Sequence, residues 1–381
     1  MVRILDTTLR EGEQTPGVYF PPHIKFAIAE RLDRLGVAVI EAGHPAVTPE
    51  IAGAVRHLAQ AGLRATVGAH ARSLPADVDL ALDCGVGFIG IFYCVSDQRL
   101  RLHTRCLVEA VDQVQQVVRR VRERAPGTMI RYTPEDTVRS PWTNVVAAAV
   151  AAAEAGADVI SIADTTGHMV PGTERSLYDY VLRLREALDQ AGQAPLLAVH
   201  CHNDRGLALA HALDARRAGA NIIDCSVMGL GERAGIVDLA TLLAVLAADF
   251  GHTEFQLTEL SELYELVSVH AGIPIPVHQP VTGANAFRHC AGVHTQAALA
   301  DPLHYQSLDP ALFGRAPSIS LDHMSGATAL RHALDRAGEQ VAPGPLLDRI
   351  LATVKNVGQT GRSVDESELG HIVRYCRTED T

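Results

Sequence analysis

Two histidines separated by one residue are the side chains whose spacing first indicates chemistry in this sequence. His200 and His202 follow an apolar segment, residues 197–199, that is typical of a β-strand. Residues i and i+2 of a strand point to the same side, so both imidazoles can face one metal ion. The alternative is that both rings pack at the edge of the fold without a ligand. Asn203 and Asp204 follow and could fix the orientation of the rings by hydrogen bonds.

A second polar segment, residues 6–14, contains three acidic side chains and an arginine. Its sequence is Asp-Thr-Thr-Leu-Arg-Glu-Gly-Glu-Gln, and it follows a short apolar run at the amino terminus. A solvated turn would explain these charges without any function. A carboxylate from this segment, together with His200 and His202, would instead give a two-histidine, one-carboxylate metal site. Such a site leaves coordination positions open for a substrate.

The hydrophobic pattern predicts a scaffold that brings these two segments together. Short β-branched runs alternate eight times with longer amphipathic stretches over about 250 residues, the count and length of a closed (β/α)8 barrel, the TIM-barrel fold. The predicted strands are residues 2–5, 37–41, 65–68, 88–92, 129–132, 159–163, 197–199 and 222–225. The predicted helices are residues 23–35, 49–61, 76–83, 104–124, 143–155, 172–191, 207–218 and 237–250.

Polar residues follow almost every predicted strand at its carboxyl end. In a barrel these ends lie on one rim, where active sites are built. Chance loop residues would not place carboxylates, imidazoles and guanidinium groups there so regularly. The residues are Asp6, Arg10, Glu11, Glu41, His70, Arg131, Thr133, Glu135, Asp164, Thr165, His200, His202, Glu232 and Arg233.

The strand–helix alternation stops after about residue 253, and residues 272–276 have the glycine and proline content of a linker. We therefore expect a catalytic barrel over residues 1–255 and a mainly helical carboxyl-terminal extension over residues 256–381. Helical patterns in this extension lie near residues 325–337, 345–358 and 366–375.

The composition indicates an ordinary folded protein and excludes several classes of partner. Of the 381 residues, 47% are apolar and 20% are charged. The formal net charge of -11 gives no basic surface for nucleic acid or for an anionic membrane. Seven cysteines, without a Cys-x-x-Cys pair, favour a reducing cytoplasm over a disulfide framework. No segment has the length and apolarity of a signal peptide or a membrane span. We therefore expect a cytoplasmic protein that binds neither nucleic acid nor membranes.

Three motifs resemble the superfamily of homocitrate, isopropylmalate and citramalate synthases. They are residues 6–14, residues 200–204 (His-Cys-His-Asn-Asp) and residues 229–235 (Gly-Leu-Gly-Glu-Arg-Ala-Gly). The Arg10-Glu11 pair and Ile236 after the third motif are closer to homocitrate synthases than to the sister enzymes. The resemblance covers nearly the whole chain. It implies an acyltransferase that condenses acetyl-CoA with a 2-oxo acid, foremost 2-oxoglutarate, in a metal-assisted Claisen condensation followed by hydrolysis of the thioester.

The resemblance also implies a set of roles for individual residues. Glu11, His200 and His202 would bind a divalent ion such as Zn, Mn, Mg or Co, and Arg10 would stabilise charge on the ketone oxygen. Arg131 would form a bidentate pair with the distal carboxylate of 2-oxoglutarate. The full set expected to bind substrate is Arg10, Gln14, His70, Arg131, Thr133 and Thr165.

Residues 283–294 are similar to the lid segment of these synthases. In that family a histidine matching His294 and a tyrosine matching Tyr305 reach into the barrel of a partner subunit. With Glu135 they would form the acid–base group that moves protons. The resemblance therefore implies a homodimer in which each subunit completes the active site of the other.

Three residues depart from the family pattern: Gln296 replaces the usual lysine of the lid motif, and Ala198 and His44 keep alternatives open. Ala198 stands where lysine-regulated homocitrate synthases tend to have glutamate, which argues against lysine feedback and a role in lysine synthesis. His44 stands where the family usually has a smaller or apolar residue. It could indicate another acceptor, such as oxaloacetate, phosphonopyruvate, pyruvate or 2-oxoisovalerate, or it could be a tolerated substitution. A metal-dependent carbon–carbon lyase is the alternative from another enzyme class, and a non-catalytic CoA-binding protein is a third.

Overall fold

Eight parallel strands close into a barrel in the computed structural model, which describes residues 2–290, 294, 297 and 301–378. Neighbouring strands follow one another in chain order, and β8 pairs with β1 to close the sheet. The predicted (β/α)8 barrel is therefore confirmed. The strands are β1 (Arg3–Asp6), β2 (Val39–Glu41), β3 (Thr66–Arg72), β4 (Phe88–Phe92), β5 (Met129–Thr133), β6 (Val159–Asp164), β7 (Leu196–Cys201) and β8 (Ile222–Cys225).

Helices connect successive strands, and several of them begin after a residue whose side chain caps the first turn. Thr48, Ser176 and Asp238 each accept a hydrogen bond from a backbone N–H in the first turn of the helix that follows. None of the described helices is long and apolar enough to cross a membrane. The helices are α1 (Pro22–Leu35), α2 (Pro49–Ala59), α3 (Pro75–Asp83), α4 (Asp97–Leu102), α5 (Leu107–Arg124), α6 (Trp142–Glu154), α7 (Leu177–Gln190), α8 (Ala208–Arg217), α9 (Leu239–Phe250) and α10 (Leu260–Ala271).

Two layers of side chains fill the interior of the barrel. The lower layer is apolar, and its buried residues are Leu5, Val39, Phe88, Val159, Ala198 and Ile222. Side chains two residues further along each strand point in the same direction. The next layer towards the carboxyl ends therefore contains Thr7, Glu41, Gly90, Arg131, Ser161, His200 and Asp224. The apolar layer closes the bottom of the barrel and forms the base on which a polar layer rests.

A second compact unit begins at Ile275. The boundary falls later than residue 255, where the sequence predicts it, because α10 packs against α1 of the barrel. The second unit contains α11 (Ala327–Arg336), α12 (Pro345–Gly358) and α13 (Glu366–Thr378), together with a short parallel pair, β9 (Arg288–His289) and β10 (Ser318–Ile319). Its own core includes Leu330, Leu334, Ile350, Val354, Leu369 and Val373. These apolar positions recur at the helical spacing that buries one face of each helix.

Candidate active site

The carboxylate of Glu11 and the imidazoles of His200 and His202 meet at the rim of the barrel. One potential ligand atom from each residue lies within 4.8 Å of the others. The two histidine rings are 5.1 Å apart, centroid to centroid. Nδ1 of His202 is buried and has no hydrogen-bond partner among the described residues, which fits a side chain whose partner is a bound ion. Two imidazoles and one carboxylate are a donor set suited to a divalent transition metal.

The protonation states of Glu11 and His202 also suit metal binding. Burial lowers the pKa of His202, and the neighbouring His200 lowers it further, so the ring is neutral near pH 7. Burial alone would raise the pKa of Glu11, but the adjacent Arg10 guanidinium and the two imidazoles hold it below its ordinary value. An ionised carboxylate and a neutral imidazole are the forms of these two groups that bind metal ions.

Glu11 is held in place by its own loop and by the loop that follows β8. Arg10 donates to it through Nη1, and the backbone N–H of Glu232 donates to Oε1 at 3.1 Å. With its amide group oriented towards Glu11, Gln14 also donates to Oε2 at 2.8 Å. The loop after β8 needs glycine at Gly235, where a Cβ would lie 1.8 Å from the carbonyl oxygen of Gly229. The motif at residues 229–235 therefore serves to orient the carboxylate.

Arg131 crosses the polar layer of the barrel and is paired with carboxylates of the protein. Its Nη1 donates to both oxygens of Asp224 at 2.9 and 2.8 Å, and its Nη2 donates to Oε1 of Glu41 at 3.1 Å. The residue is only 2% exposed. Nε is buried without a partner among the described residues. The bidentate pair with a substrate carboxylate, predicted from the sequence, would therefore have to use Nε or displace one of these carboxylates.

Glu41 is the centre of the polar layer, since four side chains donate to it. Thr7 Oγ1 and Arg10 Nε lie 2.7 Å from Oε2, and His70 Nδ1 lies 3.2 Å from Oε1, beside Arg131. Burial alone would raise the pKa of Glu41, but Arg10, His70 and Arg131 hold it well below the ordinary value. Gly90 permits this packing, because a Cβ there would come within 3.1–3.3 Å of His70, Glu41 and Arg131.

Asp224 links this charge network to the triad. Its Oδ2 lies 3.0 Å from Nδ1 of His200, and both of its carboxylate oxygens accept from Nη1 of Arg131. A carboxylate on Nδ1 holds the proton there, so Nε2 of His200 is left to face a metal ion. Sequence reasoning missed Asp224. The available signal was an acidic residue inside the apolar strand Ile-Ile-Asp-Cys, two positions after the interior residue Ile222.

A cavity of about 230 Å³ lies over the triad. Thr133 is almost fully buried at its wall, and its hydroxyl has no partner among the described residues. Sequence reasoning did not single out Phe92, although its ring stacks on His70 at a centroid distance of 4.7 Å. The predicted substrate-binding residues that line the cavity are Arg10, Gln14, His70, Arg131, Thr133 and Thr165, and Glu135 joins them.

A second cavity, of about 470 Å³, adjoins the first and shares Phe92 and Glu135 with it. Its lining carries a concentration of basic side chains, namely Arg72, Arg99, His103 and Arg105. Arg99 also approaches Glu135, with Nη2 at 3.2 Å from Oε1. Although the whole chain is acidic, this cavity offers a local site for an anion such as phosphate.

His294 and Tyr305 belong to the second unit, and their rings lie 4.5 Å apart. Tyr305 is 45% exposed. The residues immediately around His294, at positions 291–293, 295–296 and 298–300, lie outside the described part of the chain. The structure therefore places these two predicted acid–base residues beside one another.

Comparisons with known proteins agree with this geometry. Residues 1–267 match the HMGL-like family model, and residues 281–362 match the homocitrate synthase post-HMGL domain-like model. The chain is 40% identical over 336 residues to a homocitrate synthase of Pyrococcus horikoshii, covering 88% of this chain and 90% of that protein. It is 37% identical over 360 residues to a homocitrate synthase of Saccharolobus solfataricus, covering 93% and 76%.

Solved structures show the same fold at lower identity. A hydroxymethylglutaryl-CoA lyase from Pseudomonas aeruginosa superposes with a TM-score of 0.59 at 24% identity, covering 72% of this chain and 94% of that one. An HMG-CoA lyase from Brucella melitensis gives a TM-score of 0.58 at 23% identity, covering 71% and 99%. The family models and the curated relatives together show that the chain belongs to the HMGL-like enzymes and, among them, to the homocitrate synthase family.

Proposed function

We propose that this protein condenses acetyl-CoA with a 2-oxo acid, with 2-oxoglutarate as the first candidate, and releases homocitrate and CoA. The triad of Glu11, His200 and His202 beside Arg10 carries this proposal, because it lies at the active-site rim in a chain of the homocitrate synthase family. A divalent metal ion held by the triad would supply Lewis-acid activation of the acceptor's ketone.

Arg10 is suited to stabilise the negative charge that develops on the ketone oxygen. Its Nε pairs with Glu41 and its Nη1 pairs with Glu11, which leaves Nη2 for a substrate oxygen. The residue is 9% exposed, so water competes little for that nitrogen. A fixed guanidinium at a water-poor site stabilises a developing oxyanion more strongly than the same group does in solvent.

The methyl group of acetyl-CoA must lose a proton before its carbon can attack the ketone carbon. We assign the removal of that proton to His294 as general base, assisted by Tyr305 and Glu135, as the resemblance to homocitrate synthases implies. The methyl carbon then bonds to the ketone carbon as the carbon–oxygen π bond opens, and the ketone oxygen takes up the proton removed from the methyl group to become the hydroxyl of the product. Water finally cleaves the thioester, and CoA leaves as the free thiol.

The basic cavity next to the triad is the place we propose for the tail of acetyl-CoA. The phosphates of CoA are anionic, and Arg72, Arg99 and Arg105 offer guanidinium groups for them. The shared wall at Phe92 and Glu135 would let the thioester reach the first cavity from this side.

The experiment that tests the proposed function is release of thiol from acetyl-CoA in the presence of 2-oxoglutarate, with the product identified by mass spectrometry. We expect homocitrate, loss of activity after removal of metal by a chelator, and recovery on addition of Zn, Mn, Mg or Co. Unchanged turnover in the chelated protein would refute the metal-assisted mechanism. Absence of thiol release with every 2-oxo acid tested would refute the condensation.

The proposed exchange of lids in a homodimer has its own test. An E11Q variant and an H294A variant are each expected to be inactive. After subunit exchange, one site of each mixed dimer would combine an intact triad with an intact lid, so about a quarter of wild-type activity should return. No recovery in samples shown to contain mixed dimers would mean that His294 acts within its own subunit.

A further inference from the structure

His44 lies in the active-site cavity and has no part in the mechanism described so far. It lies three positions after Glu41, where β2 ends, and its ring lines the cavity over the triad. The following inference rests on the proposed function and concerns which acceptor this cavity takes. The closing experiment distinguishes a failure of this inference from a failure of the proposed condensation.

The His44 ring is held from behind by a hydrogen bond to a carboxylate. Its Nε2 lies 3.3 Å from Oδ2 of Asp77, at the first turn of α3. Both oxygens of Asp77 also accept from Arg72, at 2.6 and 2.9 Å. A carboxylate on one ring nitrogen orients the imidazole and leaves Nδ1 as the atom that can meet a ligand.

The neighbours of His44 form the end of the cavity that lies away from the triad. Its ring meets His70 and Phe92 edge-on, at centroid distances of 6.1 and 6.4 Å. These residues and Thr133 come from β2 to β5, whereas the triad comes from β7 and the loop after β1. In a closed barrel those two groups of strands face each other across the mouth. A 2-oxo acid whose keto-acid end lies at the triad therefore extends its other end towards His44.

That end of the cavity is polar and suits an acidic group. Two imidazoles surround it, together with the hydroxyl of Thr133, which has no partner in the described part of the chain, whereas the terminal nitrogens of Arg131 already pair with Asp224 and Glu41. A branched alkyl group placed there would bury these polar atoms without partners, which costs free energy. We propose that His44 is a specificity-determining residue that hydrogen-bonds, through Nδ1, an anionic group at the distal end of the acceptor, either a carboxylate or a phosphonate.

An anion at Nδ1 has a measurable consequence for the protonation of His44. Burial lowers the pKa of this ring, Asp77 opposes the decrease, and Arg72 and Arg10 add to it. His70 faces the same space and is neutral, since burial lowers its pKa to about 4. The His44 ring is therefore mostly neutral before binding. An imidazolium lying between Asp77 and an anion is favoured, so binding should take up a proton.

The test compares H44A with wild-type enzyme and with H57A, a matched control on the exposed face of α2. Affinities for 2-oxoglutarate, oxaloacetate, phosphonopyruvate, pyruvate and 2-oxoisovalerate are measured by calorimetry in two buffers of different ionisation enthalpy, with Mn²⁺ present. We expect wild-type and H57A protein to prefer an acid-tailed acceptor and to take up a proton with it. In H44A, that affinity should fall about tenfold or more, the loss of one charge-assisted hydrogen bond. Binding of pyruvate should not change.

The outcomes are distinguishable because binding is measured without turnover. Equal affinity and equal proton uptake in H44A would overturn the role of His44, and so would a wild-type preference for pyruvate or 2-oxoisovalerate. If acid-tailed acceptors bind through His44 but no thiol is released, the proposed condensation is refuted, while the proposed role of His44 in acceptor binding is supported. The acceptor that binds most tightly decides between carboxylate and phosphonate.

Discussion

The lower and upper layers of the barrel interior are two residues apart on the same strands, yet they differ completely in character. Ile222 in the lower layer packs among apolar side chains, whereas Asp224 in the upper layer makes ion pairs. A chain of alternating charges begins at Glu11 and Arg10 on the rim and continues through Glu41, Arg131 and Asp224 in the upper layer, where Asp224 contacts the imidazole of His200. Both ends of that chain are proposed metal ligands. The comparison teaches that the lower layer supplies stability, while the upper layer also fixes the geometry of the site.

The largest effect is expected at the end of the charge chain, in E11Q. Loss of this carboxylate should remove tight metal binding and lower the rate of thiol release by about three orders of magnitude, roughly 4 kcal/mol of transition-state stabilisation. Metal content and turnover are measured together, with the exposed Glu30 on α1 changed to glutamine as control. An E11Q enzyme with full metal content and normal turnover would show that Glu11 is needed neither to bind the metal nor for the reaction.

A smaller effect, on both stability and metal affinity, is expected in D224N. The change leaves the buried Arg131 with one carboxylate partner fewer, at a cost of about 3 kcal/mol in the free energy of unfolding. It also removes the group that orients His200, so metal affinity should fall about 10- to 100-fold. Urea unfolding and metal titration measure the two effects, with the exposed Asp189 changed to asparagine as control. Unchanged metal affinity would show that Asp224 serves only to neutralise Arg131.

The matched change in the lower layer is I222A. It leaves a cavity in a fully buried position and should cost about 2–3 kcal/mol of stability. Metal affinity, measured where the variant is still folded, should remain within about threefold of wild type, because no atom of this layer orients a ligand. A loss of metal affinity as large as in D224N would mean that the two layers are not separable.

The fold could be predicted from the sequence because it depends on local patterns, and the triad was proposed from strand ends on one rim and from the resemblance of its motifs. Alternating apolar runs indicate the strands, and strand ends indicate the rim. Errors occurred where capping decides a boundary. The helix predicted from residue 172 begins after Ser176, whose hydroxyl accepts from the N–H of Asp179. The helix predicted from residue 104 begins at Leu107, because Thr104 adopts a φ of 52° and the chain turns there.

The charge network could not be predicted, because it depends on distances across the barrel. Arg131 and Asp224 are 93 positions apart in the chain, and only the register of the strands brings them within 2.8 Å. The sequence alone therefore assigned Arg131 to a substrate, with no sign that Asp224 and Glu41 surround it. The sequence likewise did not predict a role for Gly90, because its lack of a side chain matters only where His70, Glu41 and Arg131 pack against it.

The smallest expected effect is a change of stability with pH, and it follows from the difference between two buried acids at the ends of neighbouring strands, Glu41 and Asp6. Arginines keep Glu41 ionised, whereas the side chain of Asp6 accepts only from the N–H and hydroxyl of Thr8 among the described residues. Burial therefore raises the pKa of Asp6 to about 7, against 3.8 for the ordinary group. Between pH 4 and 7 the folded protein holds a proton that the unfolded chain has lost.

Asp6 should accordingly make the wild-type protein lose stability as the pH rises through 7. Between pH 6 and 8 the loss is about 1 kcal/mol, and it should vanish in D6N, whose amide does not titrate. The buried histidines His70 and His202, with lowered pKa values, are common to both proteins, so they cancel in the difference. Urea unfolding of metal-free protein at pH 6, 7 and 8 measures the difference in the free energy of unfolding between wild type and D6N. Parallel pH profiles for wild type and D6N would mean that Asp6 is already ionised at pH 6, and that burial without a cation does not distinguish it from Glu41.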